Sequence, residues 1–382
     1  FFFKQKTAYE IKECDWSSDV CSSDLACVGI SRSPNLSVSQ GRRMSIIATS
    51  LRAFAALTIA VLAQPAAAQD TLASLHEAAK KEGKVVYWGS PDSQTAVELT
   101  KRFKAKFPGV EVEVFKIQPA PAIERIVTAQ QAGRAEVDVM DSQLGYLQLL
   151  FDRNLVASYP WTKNFDVDPT RVLFDGRALS IWHLDSPMAY NTQLVKPGDI
   201  KSWDDLLDPK WRGKLLVEAR GFAFAILALK WGEERTAAYI RQVMAQKPII
   251  TKGGTATIEA LAGGQGSAAI GAYAGSVEMH ARAGAPIDWV RAGPVPTAYG
   301  LLMQLSNAPR PNAARLWMHF MTTKDAREAI FAGQGLDIAF GRDAGVVGKK
   351  YEAAGLEVVP ETPDIARMQA LVTKAGALIG SM

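Results

Sequence analysis

A regular alternation of short apolar segments with amphipathic ones constrains the fold of this chain more than any other feature. The apolar run Lys84–Gly89 is typical of a buried strand; a helical pattern over 94–106 follows it, and then an alternating strand over 110–117. A helix near 122–132 and a strand over 137–140 continue the rhythm. Strands that alternate with helices predict an α/β fold, with a parallel sheet that is covered on both faces and right-handed crossovers.

Two extended segments divide this pattern into two sets of elements. They cover 178–191 and 293–306, and the second set lies between them, with strands predicted at 214–218, 267–273 and 287–291 and helices at 222–245 and 255–262. A chain that crosses twice between two α/β lobes predicts a two-strand hinge and a cleft that opens and closes. The predicted division is first lobe 69–180, second lobe 181–297, and a return to the first lobe with C-terminal helices over 298–382.

Residues 44–68 have the order of a secretory signal peptide. Arg52 supplies a positive charge, an apolar run covers 53–63, and the small residues 66–68 follow. The apolar run is shorter than the roughly 20 residues that span a bilayer, so stable membrane insertion is not expected. These features predict export and cleavage, with a periplasmic product.

Residues 1–43 show no clear helix or strand period, and they precede a segment that works at the start of a chain. We interpret them as non-native sequence, translated from a sequencing adapter and upstream DNA; a real N-terminal extension is the alternative. The three cysteines, Cys14, Cys21 and Cys27, all lie in this segment. The predicted exported chain therefore has no thiol for a disulfide, a thiolate metal site or a lipid anchor.

Charge and motifs exclude several classes of function. The 43 Lys and Arg residues nearly balance the 39 Asp and Glu residues, and no basic run of the nucleic-acid-binding type is present, so no nucleic acid is expected as partner. The G-x-S-x-G, H-E-x-x-H, P-loop and G-x-G-x-x-G patterns of common enzymes are also missing. The residues thus indicate a binding protein, with an enzyme on the same fold as the alternative.

Several segments, in order along the chain, resemble the extracellular solute-binding proteins of ABC importers. They are AAKKEGKVVYWGS (78–90), RFKAKFPGVEVEV (102–114), AYN (189–191), SWDDLLDPKWRGKL (202–215) and NAARLWMHFMTTKDAREAI (312–330). The group that this chain resembles is solute-binding protein family 1, with the type II periplasmic-binding fold, which includes ferric-iron, thiamine, polyamine and phosphonate binders. SWDDLLDPKWRGK is the most specific of these segments.

The resemblance implies a function and partners. A small ligand would lie between the lobes, closure of the lobes would signal its capture, and the membrane permease of an ABC importer would be the protein partner. We expect a monomer without cofactor or catalytic residues. A ligand-sensing protein that docks on a receptor would look the same in sequence, and this alternative stays open.

Polar residues follow two strands of the predicted first lobe. Ser90, Asp92 and Ser93 lie between the first strand and a helix, where backbone N–H groups and the helix dipole favour an anionic ligand group. Asp141 and Ser142 are expected in the loop after strand 137–140, where the carboxylate would suit a cation or a ligand hydroxyl. Helix capping is the structural alternative for both groups.

The predicted second lobe has its own candidates. Arg220 and Gly221 open a helix, and the arginine fork suits a carboxylate or phosphonate. Gly254 and Thr255 open another helix, where glycine lets a ligand oxygen approach the backbone. A surface arginine and a loop that requires positive φ are the structural alternatives.

Tyr273 ends a strand at the predicted cleft. The resemblance implies that ferric-binding relatives have two adjacent tyrosines here, but this chain has Ala274 next. A bare ferric site is therefore not expected, although a chelated ferric ion that shares oxygens with an anion would fit, and Tyr273 would be its ligand. Our ligand hypothesis is a small organic molecule that bears an oxyanion, with a ferric species second.

His183 and Asp185 lie in the first extended segment, where their side chains could face the cleft. A lone histidine in such a segment is typical of a structural residue.

Overall fold

The structure is a computed structural model, and it describes residues 71–381. The segments interpreted as non-native (1–43) and as a signal peptide (44–68) lie outside the described residues. The strands are, in order, β1 (Lys84–Gly89), β2 (Glu111–Lys116), β3 (Val139–Gln143), β4 (Val172–Leu173), β5 (Ala178–Asp185), β6 (Ala189–Asn191), β7 (Leu215–Glu218), β8 (Ile249–Thr251), β9 (Ala268–Ile270), β10 (Ile287–Trp289), β11 (Val295–Gln304) and β12 (Val358–Pro360).

The α-helices cover the sheets and separate many of these strands. They are α1 (Leu72–Glu82), α2 (Ser93–Lys106), α3 (Pro119–Gln131), α4 (Gln148–Asp152), α5 (Trp161–Phe165), α6 (Phe222–Trp231), α7 (Glu233–Ala245), α8 (Gly254–Ala262), α9 (Ala274–Arg282), α10 (Pro311–Thr322), α11 (Lys324–Gln334), α12 (Val346–Ala353) and α13 (Ile365–Gly380). Short 3₁₀ helices form at Leu144–Tyr146, Pro169–Arg171, Trp203–Leu207 and Pro209–Trp211. Among the described residues, no helix combines the length and the apolar character needed to cross a bilayer.

Two separate sheets organise the described chain, as the two-lobe prediction requires. The larger sheet has the order β2-β1-β3-β11-β5-β4, with β12 beside β11, and the smaller sheet has the order β10-β6-β9-β7-β8. We refer to the larger sheet with its helices as the first lobe and to the smaller sheet with its helices as the second lobe. Buried apolar clusters form on both faces of each sheet.

The chain passes between the sheets twice, as the extended segments predicted. β5 of the larger sheet leads through residues 186–188 to β6 of the smaller sheet, and β10 leads back through residues 290–294 to β11. β5 and β11 pair with each other in antiparallel register, from Thr297 opposite Asp185 to Leu302 opposite Leu179. The division at 180 and 297 remains a prediction, and α13 near the C-terminus packs against α6 and α7.

Several local predictions were wrong. The sheets are only partly parallel, because the strands on either side of the two crossings pair in antiparallel orientation with their neighbours. The helix predicted over 222–245 is two helices, since Gly232, with φ of 85°, interrupts it. β8 was not predicted.

Candidate functional site

Asp141 is buried beneath the loop that follows β1. Asp141 and Ser142 were predicted to lie in the loop after a strand over 137–140. That prediction was wrong, because the observed strand, β3, extends to Gln143 and includes both residues. The Asp141 carboxylate accepts hydrogen bonds from the Ser90 backbone N–H (2.9 Å), from the Ser90 hydroxyl (2.6 Å) and from the Tyr87 hydroxyl (2.9 Å). Asp141 therefore holds the Ser90 loop in place.

Burial raises the pKa of Asp141 to about 6, against the hydrogen bonds from Ser90 and Tyr87, which lower it. Its neighbour Ser142 is also buried and donates a hydrogen bond to the Gln143 carbonyl oxygen at 3.2 Å. Both side chains thus form hydrogen bonds within the first lobe.

Asp92 and Ser93 begin α2. Asp92 is the N-cap residue, and its carboxylate accepts a hydrogen bond from the Thr95 backbone N–H at 2.8 Å, which is the capping role weighed as the structural alternative. Ser93 is exposed in the first turn. The Ser93 side chain is therefore accessible to solvent.

Arg220 and Tyr273 come together in the second lobe, although 53 positions separate them. Arg220 Nη2 donates to the Tyr273 hydroxyl at 3.2 Å, and Arg220 Nε donates to Glu218 Oε1 at 2.7 Å. Glu218 is 5% exposed and ends β7, so it fixes the direction of the guanidinium. Burial raises the pKa of the Tyr273 phenol, and the positive charge of Arg220 opposes that shift.

The glycines at the two helix starts have different surroundings. Gly254 lies against the Tyr273 ring, so closely that a Cβ atom there would overlap the ring. Gly221, the N-cap residue of α6, has a φ of 69°, and a Cβ atom on it would lie 2.9 Å from the Ala375 Cβ of α13. Gly254 is thus part of the Tyr273 environment, as is the start of α8 with the exposed Thr255, whereas Gly221 serves helix packing.

Tyr273 lines a narrow cavity between the lobes. Its walls come from the first lobe, the second lobe and the crossing, and they include Gln143, Ser186, Phe222 and Glu361. The cavity volume is about 20 Å³, room for about one water molecule. An adjoining cavity of about 280 Å³ shares Gly145, Phe222 and Glu361 and is bordered by α13.

The lobes also touch where α9 begins and α11 ends. A Cβ atom on Gly275 would overlap the carbonyl oxygen of Gly335, so the two backbones lie in direct contact. Ser276 donates to the Gln334 carbonyl oxygen at 3.4 Å, and the Gln334 amide lies 3.5 Å from the Ser90 carbonyl oxygen. The two lobes are therefore in direct contact here.

Three residues at these contacts, Phe222, Glu361 and Gln334, were not predicted as site residues. Phe222 follows Arg220 and Gly221, so its place in the chain was a usable signal. Glu361 had no such signal.

His183 is a structural residue, as its isolation in the sequence suggested. Its Nδ1 accepts a hydrogen bond from the Ala339 backbone N–H at 2.8 Å, and its ring stacks on Phe340 with centroids 4.6 Å apart. Within residues 71–381, no group of three or more His, Cys, Asp or Glu side chains is placed to hold a metal ion.

The sequence model of the bacterial extracellular solute-binding proteins matches residues 87–328, which include the smaller sheet, most of the larger sheet and both crossings. This chain belongs to that family. No curated protein matches it.

Solved structures of bacterial solute-binding proteins share the fold. Iron-bound HitA from Pseudomonas aeruginosa is 17% identical with a TM-score of 0.61, and the alignment covers 78% of this chain and 99% of HitA. FutA from Trichodesmium, in complex with iron and citrate, is 16% identical with a TM-score of 0.60, and covers 78% and 99% of the two chains. AfuA from Actinobacillus pleuropneumoniae, with fructose-6-phosphate bound, is 17% identical with a TM-score of 0.57, and covers 78% and 97%.

These likenesses establish the type II periplasmic-binding fold for this solute-binding protein. The predicted family and fold class are confirmed. The family function is extracellular solute binding for an ABC-type importer. The individual ligand-binding residues remain predictions.

Proposed function

We propose that this solute-binding protein captures a small organic molecule bearing an oxyanion between its lobes and delivers it to the membrane permease of an ABC importer. In this proposal the protein is a periplasmic monomer, released by cleavage of the 44–68 segment, and it performs no chemistry on the ligand. Closure of the lobes around the two crossings is the signal that the permease reads.

The observation that carries the proposal is the pairing of Arg220 with Tyr273. Two hydrogen-bond donors of different chemistry, a guanidinium and a phenol, lie 3.2 Å apart at the start of the second-lobe helices. Charge-assisted bonds from arginine to carboxylate or phosphonate oxygens are among the stronger polar contacts in proteins. The backbone of Gly254 beneath the Tyr273 ring brings the N-terminus of α8 to the same place.

A ferric species is the second candidate, supported by Tyr273 and by the fold shared with HitA and FutA, whose structures contain iron. The positive charge of Arg220 beside the phenol disfavours a bare trivalent cation. An anionic ferric chelate would satisfy both side chains. Ferric citrate is therefore the form to test.

A thermal-shift screen of the purified protein tests the ligand class. The panel contains phosphonates, carboxylates, polyamines, thiamine, ferric chloride and ferric citrate. A ligand that binds only the folded state raises the melting temperature by an amount that grows with the ratio of its concentration to its dissociation constant, so oxyanion-bearing compounds are expected to produce the shifts. If only polyamines or thiamine raise it, the oxyanion proposal fails.

Arg220→Lys then tests the site. The substitution keeps a positive charge beside Glu218 but removes the planar fork, so calorimetric affinity for the best oxyanion is expected to fall about tenfold. Arg235→Lys is the matched control, because each arginine lies over an aromatic ring, Phe222 or Trp231, but Arg235 pairs with Asp204 and not with Tyr273. Equal affinities for both variants would remove Arg220 from the site.

Chemical analysis of the compound recovered from the protein after a fixed time distinguishes an enzyme from a transport protein. An enzyme on this fold would convert the compound, and a transport protein would release it unchanged. Uptake of the labelled compound by cells that lack the protein separates an importer component from a receptor-docking sensor, because only the importer component is needed for uptake.

A further inference from the structure

Glu361 is a buried carboxyl group at the base of the cleft. It follows β12, is 4% exposed, and lines both the narrow cavity with Tyr273 and the adjoining cavity beside α13. One carboxylate oxygen accepts a hydrogen bond from the Tyr299 backbone N–H at 2.7 Å. The side chain thus sits where the lobes, the crossing strands and α13 meet.

No cation in the described residues balances this carboxyl group. Burial raises the pKa of Glu361 to about 8, and the one group that lowers it is the Tyr299 backbone N–H. The cavity walls around it are largely apolar, with Leu144, Phe222 and Ile226 among them. A buried carboxyl group without a charged partner is costly, and such groups concentrate at functional sites.

The two polar ends of the narrow cavity have opposite chemistry. Tyr273, bonded to the cation Arg220, contributes to one part of its wall, and the acid Glu361 contributes to another. We propose that Glu361 is a second ligand subsite, which receives the ammonium group of a small zwitterion whose anionic group lies at Arg220 and Tyr273. The narrow cavity has room for about one water molecule here, so the lobes must separate further to admit this ligand. This inference rests on the proposed function and narrows its ligand class to amino-substituted oxyanions.

Binding of such a ligand would be linked to proton release. Because the pKa of Glu361 is about 8, most of the free protein holds this proton at pH 7. An ammonium group beside the carboxyl favours its charged form, so the proton leaves when the ligand binds. Release of close to one proton per ligand is expected at pH 7, with affinity rising from pH 6 to pH 8.

Asp185 is the neighbouring acid that shares this range. Burial raises its pKa to about 7, and it lies opposite Thr297, whose carbonyl oxygen accepts a hydrogen bond from the Glu361 backbone N–H. The phenol nearest the carboxyl group, Tyr299, titrates far higher, because burial raises its pKa to about 12. Proton release at pH 7 that persists in Asp185→Asn would therefore report on Glu361.

Matched ligands and one isosteric variant test the subsite by calorimetry. The probes are 3-aminopropylphosphonate against propylphosphonate, and β-alanine against propionate. The wild-type protein is expected to bind the amino member of each pair at least tenfold more tightly. Glu361→Gln, which keeps an acceptor oxygen for the Tyr299 N–H, is expected to bring the two members of each pair to equal affinity.

Glu233→Gln is the control, since Glu233 is half exposed and pairs with Lys374 on the surface. Titrations in buffers of different ionisation enthalpy give the protons released by the wild-type protein, and this readout stands even if Glu361→Gln does not fold. Equal affinity within each pair, or no proton release, would overturn the Glu361 subsite while the oxyanion proposal stands. If none of the four anions binds, the oxyanion proposal itself fails, and the subsite with it.

Discussion

At the level of single residues, buried acids surround the strands that join the two lobes. Asp185, the last residue of β5, is 2% exposed and accepts a hydrogen bond from the Tyr351 hydroxyl. Burial raises its pKa to about 7, although the bond from Tyr351 lowers it. Asp337, also with a raised pKa because of burial, accepts backbone N–H bonds from Ile338 and Val347. Burial near the crossing thus favours the neutral form of these two carboxyl groups.

These raised values give the stability of the protein a definite dependence on pH. The folded state holds the Asp185 proton up to about pH 7, whereas an unfolded aspartate loses it near pH 4. Stability from this group is therefore fully present below about pH 4 and is lost as the pH rises through about 7. Urea unfolding is expected to give a larger free energy at pH 5 than at pH 8.

Asp185→Asn should reduce that difference, because the amide cannot lose a proton in this range. A variant with the same pH dependence as the wild-type protein would show that Asp185 is not the source. The exposed Asp325→Asn is the control.

Tyr273→Phe tests the role of one hydroxyl group. The ring would still pack on Gly254, but the hydrogen bond to Arg220 would be lost. We expect affinity for the identified ligand to fall about tenfold, the effect of roughly one polar contact, with little change in melting temperature. Unchanged calorimetric affinity would remove the Tyr273 hydroxyl from the site.

At the level of elements, the start of α6 is constrained by its contact with α13. Gly221 is in the left-handed region, with φ of 69°, and its position faces Ala375 and Ile379. Only glycine satisfies both conditions, because a side chain would be strained in its backbone and would collide with the helix. The candidate glycine therefore has a structural explanation.

Gly221→Ala is expected to lower the free energy of unfolding by about 1–3 kcal/mol while the folded protein keeps its ligand affinity. Gly83→Ala separates the two causes, since Gly83 is also in the left-handed region, with φ of 75°, but has no atom within 4 Å of an added Cβ. It should cost only the backbone strain, about 1 kcal/mol. A loss of affinity in Gly221→Ala that exceeds its loss of stability would contradict this explanation.

At the level of the whole molecule, Gly275 and Gly335 form one of the contacts between the lobes. Both residues are buried, and neither position has room for a side chain in this arrangement. The contact lies near the crossing from β5, because Asp337 pairs with His183 of β5. The lobes also meet where α6 packs on β11 and β12 and where α13 packs on α6 and α7, and residues 186–188 and 290–294 are the two passages about which they would separate.

Gly275→Ala should shift the population toward the open form. The added methyl group would overlap the Gly335 carbonyl oxygen, so closure would lose stability and ligand affinity would fall by the same factor. Small-angle X-ray scattering is expected to show a larger radius of gyration for the variant than for the wild-type protein. Equal radii and equal affinities would rule out this contact as the closing element.

The sequence by itself determined much of the architecture. Local periodicity specifies whether a segment is a strand or a helix, so β1, α2 and the two extended crossings were predicted close to their observed bounds. Strand orientation was not local: β5 and β11 pair in antiparallel register across more than 100 positions, and no periodicity records that pairing. The end of β3 was misplaced because polar Asp141 and Ser142 look like a loop until their buried partners are known.

The candidate site also divides into features that local sequence predicts and features that only tertiary packing decides. Arg220, Gly254 and Tyr273 were identified singly, since residues at strand ends and helix starts are recognisable from local pattern. Only the tertiary structure brought Arg220 to Tyr273 and placed Glu361, from beyond the last predicted helix, on the wall of the same cavity. The sequence gives the type of each residue and its neighbours along the chain. Burial and proximity arise only when distant segments pack, and these two quantities set the electrostatics of the cleft.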